Sequence, residues 1–329
     1  MHDVCFYEAF EEEAEELRRF LPPSFTATYT DKTIQESGHT APTARLISVR
    51  TQSQLPIEWA GQIDAILSRS TGYDHLLAYA AKATGKRPAL GYLPLYCHRA
   101  VAEQAILLVM ALLRRLPLQL KQFHSFHRDG ITGRECQGRN LVVVGVGNIG
   151  YEVCKIASAL GFNVRGVDLD PRHSDVEYVD AANAFADTDA VVCAMNLVES
   201  NRGYFDAKVL SQFKPGAVFV NVSRGELSPS TALLQALKTG QLGGVALDVY
   251  DKESSLAIAL RGGGTSTDPE VLAALEISRR DDGMCTPHNA FNSVEAVERK
   301  SEHSVQQIVA LFKDDAFLWA PSPEYASKL

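Results

Sequence analysis

The sequence predicts an α/β protein of two domains, each built on a parallel sheet with helices on both faces. Three observations carry this reading. The chain holds 329 residues, and a domain commonly takes roughly 100–200. Apolar residues make up 46% and charged residues 22%, a balance that fills a sizeable core and argues against disorder. Short continuous apolar runs alternate with helix-like segments, the pattern of a sheet buried on both faces.

Taken in order, Asp3–Tyr7 reads as a first strand. Phe6, Phe10, Ala14, Leu17 and Leu21 then recur at helical spacing. Glu11, Glu12, Glu13, Glu15 and Glu16 fall mostly on other faces and read as a solvated surface. Pro22–Pro23 stops the helix. Leu46–Val49 reads as a strand, and Trp59–Leu67 as a further short element before the turn Arg69-Ser-Thr-Gly-Tyr-Asp74.

A second section begins near Arg99. Ala100–Leu116 reads as a long helix. Its most apolar stretch, Gln104–Leu113, is too short to span a bilayer and predicts a buried helix. Leu141–Val144, Asn163–Val167, Ala190–Cys193, Ala217–Asn221 and Gly244–Leu247 read as strands. Tyr151–Leu160, Ala207–Gln212 and Ser230–Lys238 read as helices among them. Ser254–Asp282 departs from the alternation and reads as an excursion, with Gly262-Gly263-Gly264 and a helix over Pro269–Leu275.

Forty acidic against 32 basic side chains leave a net charge of −8. That argues against bulk binding to nucleic acid or anionic membranes. Cys5, Cys97, Cys136, Cys154, Cys193 and Cys285 form no C-x-x-C pair, so free thiols in a reducing compartment are expected. The acidic N-terminus lacks the apolar core of a secretory signal, and the expected location is the cytoplasm. His124 and His127 have no further ligand cluster beside them, so no metal site is expected.

Gly145-Val-Gly147-Asn148-Ile149-Gly150 follows an apolar strand and opens a helix-like segment. A second strand ends in Asp168, 18 residues after Gly150. This is the pattern of a Rossmann-like dinucleotide site. Gly145 permits a tight turn, Gly147 lets backbone approach a pyrophosphate, and Gly150 lets helix and strand pack closely. The helix N-terminus offers N–H groups and a positive dipole end to the phosphates. Asp168 suits a ribose 2′-hydroxyl and repels a 2′-phosphate, which favours NAD over NADP.

Further motifs lie around this core: RSTGYD at 69–74, YCHRAVAE at 96–103, NVSRGE at 221–226, LDVYDKE at 247–253 and TPHNAF at 286–291. With these and GVGNIG at 145–150, nearly the whole chain resembles the D-isomer-specific 2-hydroxyacid dehydrogenase family. YTDK at 29–32, Gly133-Arg134-Glu135, DVY and PHNAF resemble its D-lactate dehydrogenase branch in wording.

The resemblance implies two Rossmann-like or flavodoxin-like domains with an active-site cleft between them. The substrate domain would be discontinuous, 1–98 with 290–329, and the NAD-binding domain would be 99–289. It also implies a homodimer, with the long helix near Ala100–Leu116 at its interface. The activity implied is NAD-dependent interconversion of a small 2-oxo acid and a D-2-hydroxy acid. Reduction of glyoxylate or hydroxypyruvate is an alternative within the family. So is a non-enzymatic NAD(H)-sensing protein of the corepressor type.

Roles transfer where positions match. Arg224 matches the arginine that binds the substrate carboxylate and polarises its carbonyl. Glu253 matches the acid paired with the catalytic histidine, and His288 matches that histidine. Gly145, Gly147, Asn148, Ile149, Gly150, Asp168, Val222 and Asp248 are assigned to the cofactor, and Asp248 also matches an aspartate of the family near the catalytic pair, with a supporting role. Thr71, Gly72 and Tyr73 match the turn that binds the substrate carboxylate. Tyr96 matches a tyrosine that lines the pocket in the D-lactate branch, with interdomain packing as the alternative, and Phe291 is a candidate either to close the pocket or to belong to the core. Arg50, just after a strand, is a further candidate for a second anionic group on the substrate.

The chemistry of these residue types agrees. A nascent alkoxide needs a proton, and imidazole transfers one near neutral pH. A neighbouring carboxylate orients the ring and favours its charged form. Guanidinium is always charged and grips a carboxylate through two hydrogen bonds. The nicotinamide supplies the hydride, while the protein supplies position and field.

Overall fold

The computed structural model describes residues 1–262 and 266–321. Gly263 and Gly264 of the glycine run lie outside the described residues. The chain divides into two units, Met1–Cys97 with Asn292–Leu329, and His98–Phe291.

The first unit holds β1 (His2–Phe6), α1 (Glu11–Phe20), β2 (Ala27–Tyr29), α2 (Ile34–Ser37), β3 (Ala44–Val49), β4 (Ala65–Ser68), α3 (Asp74–Lys82) and β5 (Ala89–Gly91). The second unit holds α4 (His98–Leu113), α5 (Leu116–Phe123), β6 (Asn140–Val144), α6 (Asn148–Ala159), β7 (Asn163–Val167), β8 (Glu177–Tyr178), α7 (Ala181–Ala184) and β9 (Ala190–Cys193). It continues with α8 (Ala207–Leu210), β10 (Ala217–Asn221), α9 (Ser230–Lys238), β11 (Leu242–Leu247), α10 (Glu253–Gly262), α11 (Pro269–Ile277) and β12 (Gly283–Cys285). The chain then returns to the first unit through α12 (Val294–Asp314).

Every strand pairing is parallel. The first sheet runs β2-β1-β3-β4-β5, the flavodoxin-like order. The second runs β12-β11-β10-β9-β6-β7-β8. Counted from β6, that is the Rossmann order with a seventh strand added at the β12 edge. Its switch point lies between β6 and β9, where chains leave in opposite directions and open a crevice for a ligand.

The interior strands are apolar throughout because both faces are covered. Val142, Val144, Val191, Phe219 and Val245 are buried, and Phe205 and Phe213 pack beside Phe219. In the first unit Cys5, Tyr7, Ile47, Val49 and Ile66 form the centre, with Trp59 and Leu76 against them.

Three expectations change. The acidic run of α1 is not all solvated: Glu13 is fully buried and pairs with Arg69 at 2.7 Å and Lys300 at 2.8 Å. Its neighbours Glu11, Glu12 and Glu15 stay exposed, as helical spacing requires. The long helix ends at Leu113, where Arg115 turns left-handed (φ 53°) and α5 restarts at Leu116. The segment after Glu253 is helical at once, as α10, although only Leu256 of that helix is buried. The short strands β2 and β5 and helix α3 go unread in the sequence because they are brief and their apolar pattern is weak. All six cysteines are free thiols; Cys136 and Cys285 are half-buried and the rest buried.

Candidate active site

The glycine loop joins β6 to α6 at the switch point. Gly145 adopts φ +90°, and a Cβ there would lie 2.3 Å from the Met195 Cα. A Cβ on Gly150 would sit 1.9 Å from the Gly145 carbonyl oxygen. Both positions therefore admit glycine only. Gly147 differs: a Cβ there would meet nothing within 4 Å. Its missing side chain serves no packing need and leaves the mouth of the loop open to an approaching ligand.

Gly147 is the N-cap of α6 and provides no side-chain cap. The first-turn N–H groups of a 12-residue helix thus stand beside that opening. Asn148 is exposed and Ile149 half-buried. Asp168, just past β7, accepts hydrogen bonds from the Val146 N–H (2.6 Å) and the Asp170 N–H (2.9 Å). It holds the loop in shape and remains half-buried at its rim. These residues fit a dinucleotide: a glycine cradle, a helix N-terminus and a carboxylate at the end of the next strand.

The chemical residues lie beyond the ends of β10, β11 and β12, which are adjacent in the sheet. Arg224 follows β10. Asn221, fully buried, donates to the Arg224 carbonyl (2.8 Å) and to Ser228 Oγ (2.8 Å), and accepts from the Ser223 N–H (2.9 Å). Gly225 lets this loop press on the next one, since a Cβ there would fall 1.8 Å from the Tyr250 carbonyl carbon. Val222, assigned to the cofactor, is 8% exposed.

Glu253 starts α10 directly after Lys252, whose φ is +58°. His288 follows β12, also left-handed, with φ +51°. The His288 Nδ1 lies 2.9 Å from both Glu253 carboxylate oxygens, and both side chains are about one-fifth exposed (19% and 22%). Left-handed backbone at a non-glycine residue costs about 1–2 kcal/mol and persists only where neighbours enforce it.

Asp248 is the enforcer. It is fully buried and accepts from Thr286 Oγ1, the Asn289 N–H (2.8 Å) and the Ala290 N–H (2.9 Å). Its bonds bracket His288 on both sides. Burial raises its carboxyl above the usual range, against the pull of those donors. Three donors of the histidine loop thus engage the carboxylate that the sequence assigns to the cofactor. Tyr250 adds a second tie, donating to the carbonyls of Leu247 (3.0 Å) and Thr286 (2.8 Å). Asn221, Gly225, Tyr250 and Thr286 were not singled out from sequence. The available signal was only their place inside the motifs.

In the first unit, Thr71, Gly72 and Tyr73 follow β4 and are half-buried. Thr71 Oγ1 lies 3.3 Å from Cys97 Sγ, Ser70 Oγ donates to the Gly72 carbonyl (2.7 Å), and Tyr73 packs on Tyr92. Tyr96 is buried, and its carbonyl accepts from Arg299 Nε (3.0 Å). Burial pushes its hydroxyl well above the usual tyrosine range. Phe291 is buried in the second unit. Among the described residues, no helix is long and apolar enough to cross a membrane.

Known proteins resemble this chain in sequence and in fold. The profile of the D-isomer specific 2-hydroxyacid dehydrogenase NAD-binding domain matches residues 106–290. The chain is 36% identical over 205 residues to 2-hydroxyacid dehydrogenase A of Aspergillus oryzae, covering 60% of this chain and 58% of that protein. It is 31% identical over 258 residues to the D-lactate dehydrogenase of Escherichia coli K12, covering 76% of each. The fold matches that of a D-lactate dehydrogenase from Aquifex aeolicus, solved with NAD and lactic acid. The TM-score is 0.83 at 24% identity, covering 97% of this chain and 100% of that one. The chain therefore belongs to the D-isomer-specific 2-hydroxyacid dehydrogenase family, in the branch of the D-lactate dehydrogenases, and is an NAD-dependent oxidoreductase.

Proposed function

We propose that this enzyme reduces a small 2-oxo acid to the D-2-hydroxy acid, and runs the reverse, with Arg224, Glu253 and His288 as its catalytic set. The observation that carries this reading is the His288–Glu253 pair, with Nδ1 2.9 Å from each carboxylate oxygen. Bound NADH supplies the hydride for the carbonyl carbon. With Nδ1 engaged by Glu253, His288 Nε2 is the nitrogen that delivers a proton to the carbonyl oxygen and recovers it in reverse. Glu253 orients the ring and balances the imidazolium that donates.

Arg224 binds the substrate carboxylate and stabilises charge on the carbonyl oxygen. Thr71, Gly72 and Tyr73 supply the remaining carboxylate contacts, and Tyr96 and Phe291 wall the pocket. Gly145, Gly147, Asn148, Ile149, Gly150 and Val222 hold the cofactor. Asp168 takes the adenosine ribose and disfavours NADP. Asp248 positions the histidine loop.

The test is loss of NADH absorbance with a panel of 2-oxo acids, followed by chiral analysis of the product. Turnover to the D-isomer is expected. An L-product, or silence across the panel with NADH bound, would overturn the reading and favour a sensor. The homodimer and the cytoplasmic location remain part of the proposal, the first checked by light scattering and the second by cell fractionation.

A further inference from the structure

The carboxyl edge of the first sheet carries a cationic cluster that a monocarboxylate substrate does not call for. Arg50 directly follows β3, whose Val49 pairs with Ser68 of β4. Arg50 thus stands beside Arg69, close to the turn Thr71–Tyr73. In open parallel sheets this edge is where ligands bind.

The backbone at Arg50 is rigid. The Glu8 carboxylate, just past β1, accepts from the N–H groups of Arg50 (3.0 Å), Gln52 (3.0 Å) and Ser53 (3.2 Å). The Arg50 guanidinium carbon lies 5.9 Å from the centre of the Phe10 ring, and the Lys300 ammonium 5.0 Å from the same ring. One aromatic ring thereby holds two cations in place.

Behind them Glu13 pairs with both Arg69 and Lys300, all three fully buried. Arg50, Arg69 and Lys300 thus stand against the carboxylates of Glu8 and Glu13. Of the three cations only Arg50 is partly exposed. Its charge also acts on the hydroxyl of Tyr96, the residue assigned to the pocket wall.

We propose that Arg50 makes this enzyme select 2-oxo acids bearing a second carboxylate, four- or five-carbon dicarboxylates whose distal carboxylate pairs with its guanidinium. The proposal rests on the function given above and narrows its substrate class. In that function the first carboxylate is served by Arg224 and the Thr71–Tyr73 turn. A second guanidinium beside that turn, partly exposed and carried on backbone that Glu8 holds, suits a second carboxylate through a planar two-point contact. The Arg69–Glu13–Lys300 set is fully buried and lies too deep to touch it.

The experiment compares kcat/KM for oxaloacetate and 2-oxoglutarate with that for pyruvate and 2-oxobutyrate, in wild type, Arg50→Lys and Arg50→Gln. The wild-type ratio is expected to favour a dicarboxylate by about tenfold or more. Arg50→Gln should lower that ratio by about 30-fold or more, with Arg50→Lys between. A wild-type preference for the monocarboxylates, or a parallel loss on both classes in Arg50→Gln, overturns the proposal. If no 2-oxo acid turns over, the function above has failed, and calorimetric binding of glutarate decides the present point separately. Weaker binding to Arg50→Gln than to wild type upholds the anion site; equal or absent binding to both refutes it.

Discussion

His288 is held in a backbone conformation that few side chains adopt, φ +51°, and its ring is tied by two contacts of 2.9 Å to Glu253. Strain and pairing at one residue mark a side chain whose placement matters more than its comfort. His288→Gln keeps size and polarity but cannot carry the proton, so kcat should fall by about 100-fold or more while NADH still binds. Near-wild-type turnover would remove His288 from the mechanism. Arg224→Lys keeps the charge and loses the fork. A drop in kcat/KM of about 100-fold is expected from steady-state kinetics.

The elements explain why those residues stand where they do. Asn221 braces the loop after β10 from within, and Gly225, Asp248 and Tyr250 join the loops after β10, β11 and β12 to one another. Asp248→Asn separates a clamp from a cofactor ligand. As a clamp it should lower kcat by about tenfold or more, with the NADH dissociation constant within about twofold of wild type. A matching loss of NADH affinity would restore the ligand role.

The glycine loop allows a parallel test. Gly147→Ala, whose added methyl meets no protein atom, should weaken NADH by about tenfold and leave stability intact. Gly225→Ala, whose methyl strikes the Tyr250 backbone, should cost about 1–3 kcal/mol or more in urea unfolding. At this scale much was legible in sequence. Ala217–Asn221 and Ser230–Lys238 are read to the residue, the first because its apolar run is continuous and the second because its apolar residues recur at helical spacing. Helix α10 was missed because one buried residue, Leu256, gives no periodic stripe.

Across the molecule, the helix that begins the first unit and the helix that returns to it are joined by buried charge. Burial alone would raise the Glu13 carboxyl, but Arg69 and Lys300 outweigh it and hold it down to about 2, from an ordinary 4.5. A depressed acid contributes stability that is full above the unfolded value and is lost as pH falls through the folded one. The window here runs from about 4.5 down to about 2 and is worth up to about 3 kcal/mol. Burial drives Lys300 the other way, below the usual lysine range, against the pull of Glu13. Glu13→Gln should therefore cost about 3–5 kcal/mol, since it strands the buried Arg69 guanidinium and removes the partner of Lys300, and should flatten the acid limb of the unfolding curve. Lys300→Met should cost less, because Arg69 still pairs with Glu13. Equal losses in the two variants would show that the pairing is not what holds these helices together.

What is written in contiguous residues is legible from the chain alone: most of the strands, the glycine loop with Asp168, and the motifs holding Arg224, Glu253 and His288. Turn geometry, periodicity and the reach of a short loop are local, so a dozen neighbouring residues suffice to state them. The partners are set by the fold. Glu253 meets His288 across 35 residues and Glu13 meets Arg69 across 56. Asp248 binds the histidine loop, and one glutamate of an acidic run goes to the core while its neighbours face water. Those outcomes depend on which distant cations and N–H groups the folded sheets bring within 3 Å of a carboxylate. A chain read residue by residue does not contain that distance.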